Sequence, residues 1–336
     1  MTYWQERQEQ RYLAGEKKIS AYHSELKKSF EQSKKEIHSV ITNFYGRYAD
    51  ENGLTYTEAQ KALSKAEIGE LKDFIAKVNQ HMGEYNQELN NMSIKARITR
   101  YQAMEKQIDA ILQQLYTIDY ELKGEEVLKE VYAESYYQTW FSIDQFHGFH
   151  QEFALVVPGT VEELVKHPFN GANFSSRLWK QKSHMVQRLN ESMTTMLVQG
   201  RAPKTLAEDF SKAFGTKEYE AYRLLQTESA FMMEQGTLAA YKADEVKKYE
   251  FLATLDGKTS EICRDTDGEI YDVEKAVTGV NFPPMHVFCR STTVPYYEDG
   301  IGGTRVARDP ETGKTVKVSA DMTYHKWSKN YVGDTT

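Results

Sequence analysis

The chain has 336 residues, enough for one large core or two smaller ones, and its 40% hydrophobic and 27% charged residues suit long exposed helices better than a compact sheet enzyme. No run approaches the roughly 20 apolar residues that span a bilayer, MTYWQERQEQ is charged where a signal peptide needs an apolar stretch, and two cysteines make no disulfide framework, so a reduced protein resident in a cytoplasm is expected. The mean hydropathy of -0.66 is on the polar side for a globular chain, and the net charge of -7 argues against indiscriminate coating of nucleic acid, which leaves only local contact with DNA.

In chain order, Tyr3, Trp4, Tyr12, Ile19, Tyr22, Leu26, Phe30, Ile37, Val40, Ile41 and Phe44 recur mostly three, four or seven apart with charges between them. That spacing predicts one long amphipathic helix from Thr2 to about Arg47, broken at Asp50, Asn52 and Gly53. Thr57 with Gln60 makes a capping box for a helix to about Lys65. Further helices are predicted over 68–88 and from Ile94 through Ile118, and no proline before Pro158 forces any of them to stop. Tyr132, Tyr136, Tyr137, Trp140 and Phe141 read as a buried helix face rather than a ligand cage.

Between Val156 and Gly171 the periodicity is interrupted by Pro158, Gly159, Pro168 and Asn170, which marks a domain hinge. A helix then runs from Phe174 to a stop at Gly200, Thr205 with Glu208 opens the next, and another covers about Glu218 to Tyr241. Strand chemistry begins after Lys247, where Tyr249, Phe251 and Ala253 alternate with Glu250, Leu252 and Thr254. Asp256-Gly257 and Asp267-Gly268 are turn signals, and 291–297 reads as the last of about three strands. The fold class is therefore mainly α with a small C-terminal α+β module: a helical interaction arm over 1–157, a helical part over 158–247, a sheet and loop module over 248–300 and a tail over 301–336.

Gly171 to Lys204 carries Arg177, Lys180, Lys182, Arg188, Arg201 and Lys204 against the single acid Glu191. Such a face offers sequence-independent, salt-sensitive contact to phosphates, and equally serves as a solvated surface or a contact for an acidic protein.

The segment FLATLDGKTSEICRDTDG, Phe251 to Gly268, followed by FPPMHVFCR, Phe282 to Arg290, together with Gln226-Thr227-Glu228 on the preceding helix, closely resembles the head morphogenesis family of tailed phages, the Mu F-like minor head proteins. The resemblance covers roughly Phe174 to Tyr297. Thr227, Glu228, Asp256, Cys263, Asp267, Gly268, Pro283, Pro284, His286, Cys289 and Arg290 stand at matching positions. The family commonly has Cys-x-x-Cys before Asp-Gly and ends with His-x-x-Cys-Arg-Cys, whereas Ser260 and Ser291 replace two of those thiols here, and Gln226 stands where the family's helix motif has arginine.

The resemblance implies a non-enzymatic minor capsid protein in the interior of the virion near the portal, made in the bacterial host cytoplasm. Its implied partners are the portal protein, other internal head, scaffold or capsid proteins, and packaged double-stranded DNA without sequence preference, with no membrane. Its implied role is to aid DNA packaging, retention or ejection.

Three readings of the motif residues stand beside this. In the structural one, the two prolines fix an extended entry, the Asp-Gly pairs supply turns whose glycines tolerate positive φ, Arg290 pairs with Glu228 or an aspartate, and Thr227, Glu228 and His286 form one buried polar network. In the metal reading, Cys263, His286 and Cys289 with Asp265 or Asp267 complete a tetrahedral zinc set. Because serines replace the further thiols, no metal and no cofactor are expected. In the enzymatic one, Glu228, His286 and Arg290 serve as acid, base and phosphate clamp of a zinc-dependent nucleic-acid-processing enzyme. Relatives of this module also occur joined to toxin enzymes, but only about 39 residues follow Tyr297, few for a catalytic domain, and no enzymatic activity is expected.

Overall fold

The fold comes from a computed structural model that describes residues 3–51, 104, 107–147, 155–169, 171–199, 203–297, 304–309, 314–319, 322–323, 326–327 and 329. The helices expected over 57–65 and 68–88, and the start of the one from Ile94, lie outside the described residues.

The first helix, α1, spans Tyr3–Glu51. Its buried positions recur every eleven residues: Trp4, Gly15, Leu26 and Ile37 form one series, Gln8, Ile19, Phe30 and Ile41 a second, and Arg11, Tyr22 and Ser33 a third. Eleven residues in three turns is about 3.67 per turn, close to the 3.6 of a relaxed helix, so the stripe keeps to one face of the helix. At its described positions the stripe is buried within this chain.

Helical structure continues from residue 107 through a π-helical stretch, Leu115–Leu122, into α2, Lys123–His147. Instead of an uninterrupted break at 156–171 there is a nine-residue helix, α3, Pro158–Lys166. Proline stands at its first turn, where a missing N–H costs nothing, and Val161 and Val165 bury one side. The helix predicted from Phe174 is α4, Phe174–Gln199.

A single 41-residue helix, α5, Pro203–Ala243, takes the place of the two expected there. It starts at Pro203, ahead of the proposed Thr205 cap, and passes Gly215 without breaking, since one helical glycine costs only about 1 kcal/mol.

Contacts divide the chain into two units: Met1–His23, Gly124–Ser175 and Tyr222–Thr336 make one, and Ser24–Lys123 and Ser176–Ala221 make the other. Residues 1–157 thus contribute to both. In the second unit Phe30 of α1 sits among Tyr116, Tyr120 and Phe214, with ring centroids 6.0, 6.5 and 6.3 Å away, and Leu112, Leu178, Met185 and Leu189 are buried beside this layer.

In the first unit α2 and α5 cross at small residues. Ser135 donates its hydroxyl to the Met233 carbonyl at 2.7 Å and lies 3.0 Å from the Thr237 hydroxyl. A β-carbon on Gly236 would sit 2.5 Å from the Tyr132 carbonyl oxygen. Tyr132, Tyr136 and Trp140 are buried as expected of that helix face, while Phe141 is 61% exposed.

The sheet is antiparallel with order β2-β1-β3: β1 is Lys248–Leu252, β2 Ile270–Asp272 and β3 Thr292–Tyr296. Tyr249 and Phe251 alternate inward as read, and Pro295 sits on the edge strand β3, where a missing donor is tolerated. Asp256-Gly257 closes no hairpin. The chain instead enters a short helix, α6, Glu261–Thr266, and returns to β2 through Gly268 at φ 83°. Of the two turn glycines expected at positive φ, only Gly268 adopts it.

The segment expected as a tail holds a further hairpin, β4 Thr304–Arg308 and β5 Thr315–Ser319. Its one apolar side closes over Leu255, Ala307, Val318 and the fully buried Trp327. In β5, Val316 and Val318 alternate with Lys317 and Ser319, a period-two pattern too short to stand out in a segment expected as a tail.

The two helical glycines of α5 have opposite expectations. Gly236→Ala, meeting a backbone carbonyl that cannot rotate away, should cost about 1–3 kcal/mol, whereas Gly215→Ala, with nothing within 4 Å, should stabilise by about 0.5–1 kcal/mol. Urea unfolding of both variants reads this, and equal effects of the two would refute the close crossing.

Candidate functional site

One face of α5 grips the loop that leads into β3 at two points. Thr227 donates its hydroxyl to the Arg223 carbonyl at 2.8 Å and accepts the N–H of Phe288 at 3.3 Å. Two turns further along the helix, Glu234 is fully buried and accepts the Thr292 hydroxyl at 2.6 Å, with the Thr293 hydroxyl at 3.5 Å.

The N-terminal helix reaches the same carboxyl through a relay. Arg11 donates to the Gln8 side-chain oxygen, Gln8 donates its amide to Thr292, and Arg11 also donates to Thr139 on α2. Gln8, Arg11 and Glu234 were not singled out from the sequence. For Gln8 and Arg11 the available signal was their place, with Ser33, as polar residues on a largely apolar stripe, visible only once the eleven-residue period is recognised. Burial pushes the Glu234 carboxyl up to about 8, against the opposing pull of the Thr292 hydroxyl and the Arg11 cation.

Arg290 pairs with Asp256, one of the two classes of partner anticipated. The guanidinium donates to both carboxylate oxygens, one bond measuring 2.8 Å, in the bidentate arrangement that fixes orientation as well as charge. Burial alone would raise the Asp256 carboxyl, but Arg290, the Lys258 N–H and the Thr259 hydroxyl together hold it below its ordinary value. Asp267 accepts the Ala253 N–H at 2.7 Å and ties the turn before β2 to the end of β1. Pro283 stands at a bend rather than in the extended entry expected of the pair, and its peptide bond to Pro284 is cis.

The expected network of Thr227, Glu228 and His286 is differently built. Thr227 serves Phe288, Glu228 is buried on the same helix, and His286 turns toward α6. There Cys263 and Cys289, both buried, bring their sulfurs to 3.8 Å, and the Nε2 of His286 lies 3.4 Å from the Cys263 sulfur and 2.6 Å from the Ser260 hydroxyl. The Nδ1 of His286 lies 2.8 Å from the Val287 carbonyl. A carbonyl only accepts, so Nδ1 carries the proton, and the Nε2 lone pair faces the cysteines and Ser260.

A hydrogen bond from Cys289, together with the hydroxyls of Ser260 and Ser291, lowers the Cys263 thiol below the ordinary range against its burial, while Cys289, donating to Cys263 and buried, is raised. Both serines that replace the family's further thiols thus surround one sulfur. Of the carboxylates suggested as a fourth metal ligand, Asp267 is committed to Ala253.

On α4, Lys180 and Arg188 are exposed and Arg177 is half-buried. Lys182 differs from the expectation of a phosphate-facing residue: it is buried, and its ammonium is held at 2.8 Å by both Asp109 and Gln113. The nearby Trp179 indole donates to Glu121 at 2.9 Å.

Residues 187–294 match the family described as phage Mu protein F like protein. That segment runs from within α4 to β3 and holds every motif residue quoted above, and the match supports a phage head-morphogenesis protein. The chain is also 24% identical over 257 residues, 72% of its length, to a protein of Enterococcus faecalis named NAD(+)--arginine ADP-ribosyltransferase EFV. The chain spans about half the length of that curated relative, 51%. No solved structure matches.

Glu234 makes stability depend on pH with a definite sign. In the unfolded chain its carboxyl loses its proton near the ordinary 4.5, in the folded protein only near 8, so ionisation opposes folding progressively as pH rises through that window. Wild type should therefore lose stability relative to Glu234→Gln between pH 4.5 and 8, measured by thermal melts of both proteins in matched buffers. A wild type that gained on the variant over that range would mean that Arg11 keeps the carboxylate charged.

Proposed function

We propose that this chain is a non-enzymatic minor head protein, carried inside a tailed-phage capsid near the portal, where it contacts portal and internal head, scaffold or capsid proteins and aids packaging, retention or ejection of DNA. The observation that carries the reading is the Mu protein F-like match to the segment holding the motif residues. Their geometry agrees with it in kind, since Asp256, Asp267, Thr227 and Arg290 are spent on fixing the loop and turns of the module.

The reading as a zinc-dependent nucleic-acid-processing enzyme needs Glu228, His286 and Arg290 free to act together. Arg290 is instead engaged by Asp256, and Glu228 is buried at 3% exposure, while His286 turns toward α6. The transferase activity in the relative's name belongs to a protein of which only about half is shared.

Cross-linking mass spectrometry on intact virions tests the placement. Cross-links from this chain to the portal or to internal head proteins are expected, and their complete absence would sink the proposal. For DNA, the exposed Lys180 and Arg188 carry the reading that duplex contact is weak and sequence-independent. Reversing both to glutamate should lower retention on DNA at low salt and reduce the slope of log affinity against log salt by roughly two. An unchanged slope would assign this face to a protein contact.

A further inference from the structure

We propose that Cys263, His286 and Cys289 bind one Zn²⁺ ion, with a water molecule hydrogen-bonded to Ser260 in the fourth position. The absence of metal expected from the sequence rested on counting thiols, and the geometry points the other way. With Zn–S near 2.3 Å and Zn–N near 2.0–2.1 Å, a tetrahedral ion sets its ligands about 3.8 Å apart for sulfur and sulfur and about 3.5 Å apart for sulfur and nitrogen. The structure gives 3.8 Å between the two sulfurs and 3.4 Å between the Cys263 sulfur and the His286 Nε2. All three donor atoms lie within 4.8 Å of one another, so the remaining edge closes by side-chain rotation.

The imidazole is prepared for such an ion independently of these distances. The Val287 carbonyl holds the proton on Nδ1 and turns the Nε2 lone pair inward, which is the outer-shell arrangement that orients metal-binding histidines. Two thiolates and an imidazole select Zn²⁺ over Mg²⁺ or Ca²⁺, which take oxygen ligands. The ion would join α6, which carries Cys263, to the loop that carries His286 and Cys289, a link otherwise made by hydrogen bonds from sulfur and serine. The Ser260 hydroxyl, now 2.6 Å from Nε2, would give up that lone pair to the ion and turn to a water on it.

The test uses the full chain, reduced and titrated with Co²⁺. One equivalent should bind, with the visible absorption of a tetrahedral ion and a thiolate-to-cobalt charge-transfer band, and Zn²⁺ should displace it. Protein purified without chelator should carry one zinc per chain by elemental analysis. Cys289→Ser should weaken Co²⁺ binding by more than about 100-fold, beyond the 10–100-fold lost with an outer partner.

Because Cys289 is buried and its replacement can disturb the fold, Ser260→Cys provides a gain-of-binding arm. It should tighten binding and strengthen the charge-transfer band as a third thiolate enters. The proposal is overturned if folded, reduced wild-type protein binds no Co²⁺, if the Cys263–Cys289 pair is isolated as a disulfide that binds no metal once reduced, or if Ser260→Cys leaves the spectrum unchanged.

Discussion

A carboxyl group with no access to water organises the first unit. Glu234 can lie where it does only if the groups around it supply donors, because burying an unsatisfied carboxyl costs several kcal/mol. The hydroxyl of Thr292 and, more distantly, that of Thr293 come from β3, and the relay through Gln8 and Arg11 comes from α1. The N-terminal helix, α5 and the sheet therefore meet around one polar centre inside an apolar surround of Trp4, Ile143, Leu238, Tyr241 and Val294. Sliding α1 by a turn would replace Gln8 by Trp4 or Arg11 by Gly15 and leave the carboxyl without its relay. The network thus selects one register among several that the repeating stripe would pack equally well, the use of buried polarity best attested in helical assemblies.

Legibility in the sequence followed the strength of the period. The long first helix, α4, β1 and β3 could be read because their apolar spacing is regular over many residues. Asp256-Gly257 does turn the chain as read, but into α6 rather than a hairpin, with Asp256 held by Arg290 and by the hydroxyl of Thr259. The second hairpin was passed over because its alternation lasts only a few residues and its inward Ala307 and Val318 find partners outside it, in Leu255 and Trp327.

At the site, the sequence motif identified the residues that meet but not which of them touch. Cys263, His286 and Cys289 do converge, as do Arg290 and Asp256. Thr227 and His286, drawn by the same motif into one expected network, belong to different hydrogen-bond sets. Only the backbone path of the loop decides that, and it is fixed by contacts more than fifty residues apart.

The loop shows how the two sets depend on each other. Phe288 takes a left-handed backbone conformation, φ 61°, that a bulky residue adopts at a cost of order 1–2 kcal/mol. Such a conformation persists only where the surroundings over-determine it. Here the Phe288 N–H is held by Thr227, the Cys289 N–H returns to the His286 carbonyl at 3.1 Å, and Arg290, next in the chain, is clamped by Asp256. Without the left-handed step the chain would run on extended, carrying the Cys289 sulfur away from His286. The ion pair and the threonine on α5, though neither touches a sulfur, thereby set the distance between the loop's two donor side chains. The left-handed step between His286 and Cys289 is therefore held from both sides, by the helix through Thr227 and by Asp256 through Arg290.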